Sequence, residues 1–259
     1  MKNNDWRFPR RIFFSELTGT ALLVLVGLSV VILMFGTGSP LVDLIPSSQL
    51  RLVITGFLFG TTGACIALSP VGKISGAHIN PVVTMAFWLF RKIDLRTAIV
   101  YVLAQLCGGI IGAIPLLLWG RMGSSVAFGA TLPGEGYSTL AVMLGEVITT
   151  FTMVTLLIVF IGFRQIRAYT PAIFPVLYAI MVTLESEISG TSTNPARSLG
   201  PSLISGQWDG WWIYWAGPLT RALLASLACS FLAKRITVAK LYHFESDRDG
   251  LLRRLARSP

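Results

Sequence analysis

Two histidines, His78 and His243, and three cysteines are all the imidazole and thiol ligands that this chain offers a transition metal. The histidines are too few and too scattered for a metal or catalytic cluster, and Cys65, Cys107 and Cys229 share no metal-ligand spacing. Each cysteine falls inside an apolar run, where it reads as a small buried residue with no disulfide implied. Charge is also scarce. Only 13% of the 259 residues are charged against 53% hydrophobic, and the mean hydropathy is +0.69, which argues against a soluble globular domain. Serines, cysteines and acids are not paired with a general base, and no glycine loop suited to a phosphate appears, so neither an enzyme constellation nor a cofactor is expected.

What the chain has in quantity is apolar length. Six runs, 12–35, 52–69, 97–119, 139–163, 170–187 and 211–233, approach or exceed the roughly 20 residues needed to cross a hydrocarbon core. The basic stretch 1–11 before the first run has the look of a signal peptide, but the run is too long and carries Glu16 near its start, so a retained spanning helix is expected. A net charge of +9 raises the question of nucleic acid, yet the basic residues lie between and after the apolar runs. Topology accounts for them. With the N-terminus inside, Lys2, Arg7, Arg10, Arg11, Lys73, Arg91, Lys92, Arg96, Arg164, Arg167 and the tail from Lys234 are cytoplasmic, and the outer loops hold only Arg51 and Arg121. Both termini are therefore expected in the cytoplasm of a plasma (inner) membrane, with no nucleic-acid partner.

The chain also repeats itself. Ile74-Ser75-Gly76 followed by Asn80-Pro81 recurs as Ile188-Ser189-Gly190 followed by Asn194-Pro195, at an offset of 114 residues. Glu16 and Thr20 recur more weakly as Glu146 and Thr150. Each copy reads as helix, helix, half-helix, helix. Three full spans per copy invert the second relative to the first, which brings the two interrupted segments together at the midplane. We therefore expect an 11-residue N-terminal segment, a channel unit over 12–234 built from repeats 12–119 and 139–234, and a basic tail over 235–259.

Proline suits the first position of a helix and Asn the cap before it, so Asn80-Pro81 and Asn194-Pro195 each start a helix. The segments 80–90 and 194–204 give about 16 Å of helix apiece, half a membrane. The backbone before them, 72–79 and 190–193, is expected to be extended. Such backbone cannot face lipid, because unpaired carbonyls there cost several kcal/mol each. If it lines a channel, its carbonyls offer acceptors and the two Asn amides offer donors to a single file of water. Two helix N-termini also aim about half a positive charge each at the midplane, which disfavours cations and hydronium. A coupled transporter would instead place ionisable residues at the midplane.

These residues carry a family likeness. SGAHINPVVT at 75–84 and SGTSTNPARSLGP at 189–201 resemble the two signature loops of the aquaporins, the major intrinsic proteins, and the likeness runs from about residue 14 to about residue 233. The resemblance implies an all-α membrane protein with six transmembrane helices and two re-entrant half-helices, in a right-handed bundle with one pore per subunit and four subunits in a homotetramer. It implies that Asn80, Pro81, Val82 and Asn194, Pro195, Ala196 are the paired motifs, with Val82 standing where the family usually has Ala. It implies an outer filter of Phe59 (with Gly60 as the alternative), Val182, Thr191 and Arg197. It further implies that Glu16 and Glu146 brace the loops, a proton-coupling role being the alternative; His78, two residues before Asn80, reads either as a donor holding its loop or as a pH-sensitive group on the wall. Val182, where water-selective members place His, opens the reading of a channel for glycerol, ammonia, hydrogen peroxide or gases. Ser198 and Tyr214-Trp215 point back to water, the expected main permeant. Glu185 and Glu187 near the outer end of the fifth span read as an interfacial, solvated pair or as the acidic lining of a vestibule. Arg221 falls where relatives have a small residue, and the tail is either an amphipathic helix on the inner leaflet or solvated.

Overall fold

The computed structural model describes residues 9–163 and 165–236. Among these the chain forms eleven α-helices: α1 (Arg10–Phe35), α2 (Pro40–Leu44), α3 (Ser48–Leu68), α4 (Pro70–Ser75), α5 (Pro81–Leu89), α6 (Leu95–Ala113), α7 (Gly120–Ser124), α8 (Thr139–Gly162), α9 (Thr170–Ser189), α10 (Pro195–Ser205) and α11 (Ile213–Ala228). A 3₁₀ segment extends α6 over Ile114–Trp119, and another follows α11 over Ser230–Arg235. Five helices among the described residues are long and apolar enough to cross a membrane. The sixth expected span, α11, has 16 helical residues before its 3₁₀ continuation. The expectations for residues 1–8, for Arg164, for the Arg221 side chain and for the tail beyond 236 lie outside the described residues.

Contacts repeat across the two halves. α1 packs on α6 as α8 packs on α11, and each half-helix leans on the last helix of the other half, α5 on α11 and α10 on α6. The most extensive pairing joins the halves, α3 with α9. Glycine makes that approach possible. A Cβ at Gly56 would lie 2.3 Å from the carbonyl oxygen of Tyr178, and one at Gly60 would lie 2.5 Å from that of Phe174, so the two backbones touch where side chains would otherwise intervene. Lipid supplies no hydrophobic drive between helices, and such small-residue seams supply van der Waals packing instead. Apolar side chains such as Phe14, Ile148 and Leu184 are exposed on the outside, as a surface bathed in lipid requires. Cys65 and Cys107 are exposed too, contrary to expectation, and only Cys229 is buried. An apolar run looks the same in sequence whether a residue faces lipid or core.

The re-entrant loops differ from expectation in one respect. Ser69 caps a short helix at its N-terminus, accepting from Gly72 N, and Pro70 occupies the first turn, so 72–75 is helical and only 76–79 is irregular. Both loops then follow one plan. Gly76 (φ 93°) and Gly190 (φ 81°) end the preceding helices in the left-handed conformation, and left-handed residues recur at Ala77 and Ile79, Thr191 and Thr193. Non-glycine residues rarely adopt positive φ, at a cost of about 1–3 kcal/mol each, and hold it only where surrounding contacts over-determine it. Those contacts converge on two buried carboxylates.

Candidate pore and its two re-entrant loops

Glu16, on α1, is fully buried. Its Oε1 accepts from Ser75 Oγ (2.5 Å) and His78 N (3.0 Å), and its Oε2 from Ile79 N (2.7 Å) and Gln105 Nε2 (2.7 Å). Glu146, on α8, is equally buried and accepts from Ser189 Oγ (2.9 Å), Ser192 N (2.5 Å) and Thr193 N (3.0 Å). Ser75, His78 and Ile79 correspond to Ser189, Ser192 and Thr193 at the 114-residue offset, so the two halves make the same three bonds. A buried carboxylate is tolerated when hydrogen bonds meet its lone pairs, and here those bonds turn the loop amides away from the opening.

The half-helix starts meet between the loops. Asn80 Oδ1 accepts from Val82 N (2.9 Å) and Asn194 Oδ1 from Ala196 N (3.0 Å), each capping its own helix. Each amide nitrogen also reaches across the repeat boundary, Asn80 Nδ2 donating to Thr193 O (3.0 Å) and Asn194 Nδ2 to Ile79 O (2.9 Å). A carboxamide carries two N–H donors. Each Asn thus keeps one hydrogen for another acceptor, and both residues line an inner cavity of about 50 Å³. Val82 and Ala196 are wholly buried and line neither this cavity nor the one above it, and Pro81 and Pro195 are buried in the first turns.

The outer cavity, about 320 Å³, is lined by Phe59, Val182, Thr191 and Arg197 among others. Arg197 Nη1 donates to Gly129 O (2.9 Å), and its guanidinium carbon stands 5.8 Å from the Phe59 ring centroid. Gly60 lines only the inner cavity and abuts α9, which separates it from Phe59. Thr191 turns its hydroxyl to Glu185 Oε2 (2.5 Å). Glu185 is buried, against the expectation of a solvated residue, because it lies on the inward side of α9. Glu187, two residues on, is exposed and lines the outer cavity. His78 is buried, lies 3.2 Å from Thr84 Oγ1 through Nδ1, stacks on Phe87 and lines the inner cavity. Its counterpart Ser192 shares a 2.5 Å hydrogen bond with Ser198, the counterpart of Thr84.

Four participants escaped sequence reading: Gln105, which donates to Glu16, the Gly129 carbonyl, Thr131, whose hydroxyl donates to Ser198 Oγ (2.7 Å), and Tyr178, which lines both cavities. Tyr178 left a signal. It stands one helical turn before Val182 and so shares its face.

An inverted repeat of membrane-crossing helices, with two capped half-helices meeting at a cavity into which both asparagines open, defines a multi-pass integral membrane channel. The major intrinsic protein family model matches residues 2–229. Among curated relatives, aquaporin AqpM of Methanothermobacter marburgensis is 34% identical over 189 residues, covering 70% of this chain and 76% of the relative. Aquaporin-6 of Rattus norvegicus is 33% identical over 231 residues, covering 88% and 78%. In fold, the chain is similar to the aquaglyceroporin of Plasmodium falciparum, with a TM-score of 0.70 at 21% identity over 87% of this chain and 96% of that one. The chain belongs to the major intrinsic protein (aquaporin) family, whose members are channels for water and small solutes rather than enzymes.

Proposed function

We propose that this channel conducts water in single file and excludes protons and ions. The observation that carries the reading is the crossed pair of asparagines. Each has one N–H committed to the opposite loop and one remaining at the shared cavity. A water accepting from both uses both its lone pairs and must point its own hydrogens outward along the file, which leaves no chain of like-oriented donors for a proton to hop along. The two helix N-termini oppose cations at the same place. Phe59, Val182, Thr191 and Arg197 form the outer filter in this reading, with Arg197 supplying a fixed positive charge. Glu16, Glu146 and His78 hold the loops.

Val182 supports a second reading, a channel for glycerol or other small neutral solutes, because an apolar side chain on that wall gives up the hydrogen bonding and bulk of His. Shrinkage of proteoliposomes under sucrose, and then under glycerol, separates the two. A glycerol flux close to the water flux would overturn the water-first reading. We further propose a homotetramer with both termini cytoplasmic, on the resemblance and on the placement of Lys and Arg; crosslinking in native membranes and protease access to the tail test these.

A further inference from the structure

The outer and inner cavities have two lining residues in common, Phe59 and Tyr178. Their rings lie in contact, with centroids 5.4 Å apart and planes inclined at 37°. Below them lie the asparagines; above them lie Val182, Thr191 and Arg197. We infer that the Phe59–Tyr178 pair is the partition of this pore and that Tyr178 is a specificity-determining residue, setting the size of solute that reaches the asparagines. This rests on the reading of the two cavities as one permeation path.

Both rings are held from behind. The Tyr178 hydroxyl lies 2.9 Å from Thr193 Oγ1 and 3.4 Å from Met153 Sδ, which ties the ring to the loop whose carbonyl receives Asn80. Its backbone rests on Gly56, where even a methyl group would meet the Tyr178 carbonyl oxygen at 2.3 Å. The Phe59 ring lies flush on Gly27 of α1, where an added Cβ would fall 2.6 Å from two ring carbons. Glycines on α1 and α3 thus bring two bulky rings together. Both side chains are only 8% exposed. A partition built this way is fixed in width, unlike a single aromatic free to change rotamer. Water passes a narrow aromatic edge, whereas glycerol must push the rings apart.

The test uses the full-length protein in proteoliposomes and compares wild type, Tyr178→Phe, Tyr178→Leu and Val182→Ala for water and glycerol permeability. Tyr178→Leu is expected to raise the glycerol-to-water permeability ratio about ten-fold over wild type, since removing a few atoms from a rigid constriction shifts discrimination by that order. Tyr178→Phe keeps the ring and is expected to stay within about two-fold. If Tyr178→Leu is not recovered folded, Tyr178→Met removes the ring while keeping flexible apolar volume, and the same rise is expected. A leucine or methionine variant with an unchanged ratio, beside a Val182→Ala variant that raises it, overturns the inference and returns size selection to the Arg197 level. A Phe variant that rises as far as Leu also overturns it, because the hydroxyl and not the ring would then be responsible. A wild type that passes glycerol nearly as fast as water overturns both the water-first reading and a partition that holds glycerol back, whereas an unchanged Leu ratio beside a water-selective wild type overturns this inference alone.

Discussion

Replacing Glu16 with Gln changes one atom and should unsettle the whole first loop. The carboxylate accepts four hydrogen bonds, two at each oxygen. Glutamine has one acceptor. Placed where Oε2 stands, its carbonyl oxygen keeps Ile79 N and Gln105 Nε2. Its NH₂ group then faces Ser75 and His78. The Ser75 hydroxyl can turn and accept, but the His78 amide can only donate, so it is left buried against another donor. One orphaned N–H costs about 1–3 kcal/mol, and the loss of charge-assisted bonds brings the total to about 2–4 kcal/mol. Glu16→Ala orphans both loop amides and opens a cavity, for about 4–8 kcal/mol. At roughly 2–4 °C per kcal/mol for a chain of this size, the Gln variant should melt about 5–15 °C lower in detergent. Water permeability per channel should fall with it, because Ile79 O, which positions Asn194, belongs to the freed segment. A Gln variant that melts within about 1 °C of wild type and conducts normally would refute this account of the loop.

Four other outcomes follow from the same geometry. Gly56→Ala drives a methyl into the Tyr178 carbonyl and should destabilise by about 1–3 kcal/mol, read as a lower melting temperature in detergent. Gly27→Ala should displace the Phe59 ring and change water permeability while leaving the loop bonds intact; an unchanged permeability would show that the ring has room to yield. Arg197→Val removes the fixed charge bonded to Gly129 O and should raise proton or ion leakage of proteoliposomes, and unchanged tightness would count against a filter at that level. Val182→His should lower any glycerol flux; no reduction would mean that the side chain at this position does not reach the permeant.

The sequence alone determined the repeat and the two half-helices, because an Asn cap with a Pro in the first turn is a local signal that recurs at a fixed offset; the bracing role of Glu16 and Glu146 came with the family resemblance. Glu16 and Glu146 stood out because a carboxylate inside an apolar run needs a partner. Local signals are also why α4 was legible in principle, through Ser69 and Pro70, although only the structure brought it out. The remaining participants were decided by tertiary packing. In a membrane helix, lipid and protein core are equally apolar, so apart from its one-turn spacing to Val182 nothing in the run around Tyr178 says which side faces inward. The same degeneracy placed Cys65 and Cys107 on the outside and Glu185 within. Tyr178 reaches the pore because Gly56 and Gly60 let α9 touch α3, and that approach exists only once the two halves of the chain have closed on each other.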